Sequence, residues 1–129
     1  MGVTAELAAL LRAGVRLDFT ADPRGPIFRV RPPERPRLDA LLAPTVKPVT
    51  QAALRHAAEY RRVLLDMFAM NAQGPDADLD AARQAVQEEM RLVDELGVPL
   101  ADAVRAQVAP EYARATGLCP RCGSPEHDA

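Results

Sequence analysis

Apolar residues recur along the chain with two different periods, and the change of period marks out its parts. Leu7, Leu10 and Leu11 follow Thr4 at helical spacing and Gly14 supplies a stop, which predicts a first helix over about residues 4–13. From Val15 to Phe19 the pattern alternates with period two. Asp22-Pro23-Arg24-Gly25 then carries turn chemistry, and Ile27 to Arg31 alternates again, so a β-hairpin is expected with Val15, Leu17, Phe19, Phe28 and Val30 on its buried side. Pro32 and Pro33 end the second strand because neither donates to a ladder. Pro36 suits the first turn of a short helix bearing Leu38, Leu41 and Leu42, stopped before Pro44.

Beyond Pro48 the signal is purely helical. Val49, Ala53, Leu54, Ala57, Tyr60, Leu64, Leu65 and Phe68 form a broad stripe broken by Gly74-Pro75. A second stripe, Leu79, Ala82, Val86, Met90, Val93 and Leu96, runs from an Asp78 cap to Gly97, and the two helices are expected to pair antiparallel through these faces. Pro99 opens a shorter helix to Val108, Pro110 interrupts it, and Glu111 to Thr116 forms a last turn. The expected fold class is α+β and helix-dominated: an N-terminal helix, hairpin and short helix over 1–46, a helical region over 47–116 packed on that unit, and a short Cys/His tail over 117–129. A two-stranded hairpin is not stable alone, so helices must cover one of its faces.

A chain of 129 residues, 48% apolar and 26% charged, suffices for one core. No run approaches a membrane span and the N-terminus lacks secretory features, so a cytoplasmic protein without a membrane partner is expected. Charge is uneven. Residues 1–62 hold eleven basic against six acidic side chains, and residues 63–129 hold five against twelve. Either the halves attract each other or a second copy, or the basic half meets an acidic peptide or nucleic acid.

The sharpest chemical signal is Cys119-Pro120-Arg121-Cys122-Gly123, followed by His127. Such a turn resembles one knuckle of a zinc ribbon, in which Pro and Gly aim two thiolates at one tetrahedral metal, so zinc is a candidate cofactor with Cys119, Cys122 and His127 as ligands. A fourth ligand would come from His56, Asp128, the terminal carboxylate or a second chain. A free thiol pair and a redox pair are the competing readings. Catalytic constellations are missing: Ser124 is the one serine and has no nucleophile-elbow flanks, Asp76, Asp78 and Asp80 read as helix-start capping, and no phosphate-cradling glycine motif occurs. The expectation is a non-enzyme.

Arg29 and Arg31, two apart on the second strand, point outward together, and Arg35 and Arg37 continue the basic run. An edge strand so decorated is either a solvated face or a template for an extended acidic peptide. Nucleic acid is less favoured, since stacking aromatics are not interleaved with the arginines.

Glu6-Leu7-Ala8-Ala9-Leu10-Leu11-Arg12-Ala13-Gly14-Val15-Arg16-Leu17, the hairpin after it, and Leu38-Asp39-Ala40-Leu41-Leu42 together resemble the TubC-type N-terminal docking domain of nonribosomal peptide synthetases over roughly residues 1–70. Similar modules occur beside primases and small zinc-knuckle proteins of bacterial mobile elements. The resemblance implies a dimerising, non-catalytic adaptor that takes the tail of another protein along its second strand, at Ile27, Arg29 and Arg31. The alternative is a zinc-binding accessory factor for nucleic-acid processing. A homo-oligomer is expected on either view.

Overall fold

The computed structural model describes residues 2–19, 27–29, 32–76 and 78–125, and its elements run α-β-β-α-α-α-α. It is helix-dominated with one small antiparallel hairpin, the α+β class expected. The first helix, α1 (Val3–Arg12), buries Leu7, Ala8 and Leu10. It begins one residue earlier than the sequence suggests, and Gly2, with no side-chain cap, occupies the position expected of Thr4. Gly14, at φ 110°, turns the chain out of the helix, and the Val15 amide donates back to the Leu10 carbonyl.

The strands β1 (Arg16–Asp18) and β2 (Ile27–Arg29) pair with Leu17 opposite Phe28 and Arg16 opposite Arg29. Val15 and Leu17 are buried as the alternation requires, while Phe19 and Phe28 pack on the core at half-burial. Val30, expected beside them, lies outside the described residues. A single turn of 3₁₀ helix (Pro32–Glu34) leads into α2 (Arg35–Leu41), which seats Leu38 and Leu41. The buried Thr50 hydroxyl donates to the Leu41 carbonyl at 2.7 Å, satisfying one of the orphan carbonyls at the end of α2 from the first turn of the next helix.

That helix, α3 (Lys47–Gln73), spans about 40 Å at 1.5 Å per residue. Its buried side carries Ala53, Leu54, Ala57, Tyr60, Val63, Leu64 and Phe68. The helix α4 (Leu79–Leu96) returns antiparallel to it, with Asp78 Oδ1 accepting from the amides of Asp80 and Ala81. Gly97, at φ 81°, separates it from α5 (Val98–Thr116). One contiguous core joins Leu7 and Leu10 of α1 to Leu64 and Phe68 of α3, Leu92 and Leu96 of α4, and Val104 and Val108 of α5. No helix of the described residues is long and apolar enough to cross a membrane.

Two expectations are corrected. Pro110 does not interrupt α5, which runs unbroken to Thr116. A proline removes one intrahelical bond, and here burial of Val108 and Tyr112 on either side holds the helix together. Tyr112 stacks at 5.2 Å on Phe68 and donates its hydroxyl to the Phe68 carbonyl. The second correction concerns α4. Its buried side chains are Leu92 and Leu96, whereas Leu79 is 73%, Val86 45% and Met90 64% exposed. α4 therefore meets α3 and α5 through one shoulder of its apolar arc and leaves the other uncovered. Urea unfolding of dilute protein checks this orientation: Leu96→Ala should cost about 2–5 kcal/mol, and Leu79→Ala under about 0.5 kcal/mol.

Candidate functional site

The hairpin is tied to the helices through β1. Gln107 of α5 donates its side-chain amide to the Leu17 carbonyl at 2.9 Å, so the edge of β1 turned away from β2 is held by a side chain instead of a third strand. Phe19, at the end of β1, lies under the Arg61 guanidinium, 5.4 Å from its ring centre, and Arg61 bonds Glu111 at 3.1 Å. These links hold β1 alongside α5 with open space between them. Two adjoining clefts, of about 250 and 230 Å³, share Arg16, Gln107 and Arg114 as walls. The first adds an apolar lining that includes Leu11, Val15 and Pro110, and the second adds Arg29 with its partner Asp18, and Glu111, the partner of Arg61.

The arginines differ in their neighbours. Arg29 pairs with Asp18 across the hairpin at 2.8 Å, Arg35 with Asp39 at 3.2 Å, and Arg37 with Glu6 and Glu34 at 3.4 and 3.6 Å. The basic run of the sequence is thus largely spent on the chain's own carboxylates, in exposed pairs each worth under about 1 kcal/mol. Arg31 lies outside the described residues, as does the side chain of Ile27. By contrast Arg16 and Arg114, both exposed, have no carboxylate within ion-pair distance among the described residues. They flank one cleft although 98 positions separate them, which no local pattern could disclose. A cation at each side and an apolar wall between them suit an extended segment carrying carboxylates and one aliphatic side chain.

The cysteine turn forms a second constellation. Cys119 and Gly123 close it, the Gly123 amide donating to the Cys119 carbonyl at 2.7 Å and the Cys119 amide to the Ser124 carbonyl at 3.0 Å. Cys119 is buried and Cys122 exposed, and both are free thiols. The backbone amides of Arg121 and then Cys122 point at the Cys119 sulfur, and with the neighbouring Cys122 thiol they hold its pKa below the ordinary thiol value.

The turn is also docked. Asn71 donates to the Pro120 carbonyl at 3.0 Å, and Gly123, at φ +73°, approaches the end of α3 so closely that a Cβ would stand 2.4 Å from Ala72 Cα. His56 stands fifteen residues up α3 from Asn71, about 22 Å away, and cannot be the fourth ligand. His127 lies outside the described residues, among which no group of three or more metal-ligating side chains occurs. The two thiols, one with its pKa lowered by the amides around it, fit half of a tetrahedral zinc site.

No protein-family profile, curated protein or solved structure matches this chain.

Gly123→Ala should lift the turn off α3. Mass-spectrometric alkylation kinetics should then show Cys119 reacting at least about tenfold faster than in the native protein, where it is 6% exposed. In the native protein the pH midpoint of Cys119 alkylation should lie below that of the same thiol in urea. The folded pKa is depressed, so thiolate persists to lower pH in the fold than in the unfolded chain.

Proposed function

We propose that this protein is a non-catalytic interaction adaptor that receives an extended acidic segment of another protein beside its hairpin. The observation that carries this reading is the cleft between β1 and α5, walled by Gln107 and by Arg16 and Arg114, which have no ion-pair partner among the described residues. It shifts the contact surface from the outer edge of β2, implied by the docking-domain resemblance, to the opposite side of the same hairpin. Arg29 borders this cleft and belongs to both versions of the surface. Arg35 and Arg37, engaged with Asp39, Glu6 and Glu34, contribute general positive field.

The probe is a fluorescein-labelled peptide alternating Glu and Leu, titrated at ~150 mM salt and read by anisotropy. Arg16→Glu with Arg114→Glu should weaken binding at least about tenfold, and Arg35→Glu should change it less than about twofold. A loss from Arg35→Glu as large as that from the Arg16→Glu/Arg114→Glu double variant would reduce the effect to nonspecific charge.

A second reading rests on the docked cysteine turn: a zinc-binding accessory factor for nucleic-acid processing. The turn would supply two thiolates and the tail beyond it, with His127, or another chain would complete the shell. Elemental analysis of protein purified without chelator should find zinc that is lost in Cys119→Ser. Duplex DNA should then bind with an affinity that falls steeply as salt rises. Metal-free protein with no affinity for DNA would leave the adaptor alone.

A further inference from the structure

The uncovered shoulder of α4 carries a pattern that matches itself. Leu79, Val86 and Met90 are separated by seven and four residues, which at 100° per residue confines them to one strip about 40° wide. The strip points away from both neighbouring helices. Arg91, pairing with Glu59 of α3, and Glu89, bonded by Arg105 of α5 and the Tyr60 hydroxyl of α3, mark the sides that face the two neighbours. Exposed aliphatic side chains in a row are the usual mark of a covered surface, where single ones are not.

The charges beside the strip identify the occupant. Arg83 and Asp94 are exposed, lie eleven residues apart on the same flank, and have no ion-pair partner among the described residues. The midpoint between them falls within half a residue of that between Val86 and Met90. In an antiparallel pair of like helices, residues on one flank face the same flank of the other copy. We propose that two copies of this chain associate through α4 in that arrangement, about a two-fold axis beside residue 88.

Val86 then meets Met90 of the second copy and Arg83 meets Asp94, each contact occurring twice. A parallel pair would set this flank against the opposite flank of the second copy and leave Arg83 and Asp94 unmatched. The proposal is independent of the hairpin cleft, whose residues lie on other elements.

Sedimentation or light scattering of the full chain at ~100 μM tests it, with circular dichroism to confirm folding. The wild type should have the mass of a dimer. Arg83→Glu and Asp94→Arg should each weaken association roughly tenfold, because two contacts become like-charged at once. The double variant, which restores both pairs with reversed sign, should return to within about threefold of wild type. A monomeric wild type would overturn the proposal. So would a dimer indifferent to the single reversals or not recovered by the double one, which would assign the strip to another geometry or another protein.

Discussion

Burial of one long side of α3 is the constraint on which the rest of the structure depends. A helix of 27 residues that presents Ala53, Ala57, Tyr60, Leu64 and Phe68 along one line cannot remain in water. Each large side chain it removes from solvent is worth about 1.5–3 kcal/mol. α1, α4 and α5 all supply side chains to the core along that line, and the hairpin gains its place only because α5 is already there. Gln107 reaches the Leu17 carbonyl from a helix held against α3 through Val104, Val108 and Tyr112. Two strands of three residues acquire in this way the support that a sheet of that size cannot provide for itself.

The same packing leaves the surfaces that can do work. α5 holds β1 at a distance set by a glutamine side chain instead of by direct strand pairing, and the space between them becomes a cleft with arginines at its rim. α4 is held from one shoulder because both of its neighbours lie on that shoulder. The cysteine turn is held at the far end of α3 by a glycine with no room for a Cβ and by the Asn71 side chain. Each candidate surface is therefore a by-product of how α3 was covered.

The helices, their order and the hairpin were legible because periodicity and punctuation are local. Gly14, Gly74, Gly97 and the prolines at the starts of α2, α3 and α5 mark the boundaries. Pro110 misled because tertiary burial on both sides outweighs one missing hydrogen bond. The facing of α4 misled for a different reason: its apolar arc is broader than one contact, and sequence periodicity does not reveal which shoulder the neighbours choose. At the candidate sites, the spacing of Cys119, Cys122 and Gly123 was readable and the docking of their turn on Ala72 was not. Arg29, Arg35 and Arg37 stood out as a run, yet the fold spends them on Asp18, Asp39, Glu6 and Glu34. Arg16 and Arg114 become neighbours only after α5 has packed beside the hairpin.

On the proposed function, the space between β1 and α5 receives a carboxylate-bearing segment. Amide chemical-shift mapping of the ¹⁵N-labelled protein with an acidic extended peptide tests this most directly, because it reports location without altering a residue. Progressive shifts are expected at Arg16 to Asp18 and along Gln107 to Arg114, with the Gln107 side-chain amide among the largest. Shifts confined to α2, or to the cysteine turn, or spread evenly over every exposed arginine, would contradict it.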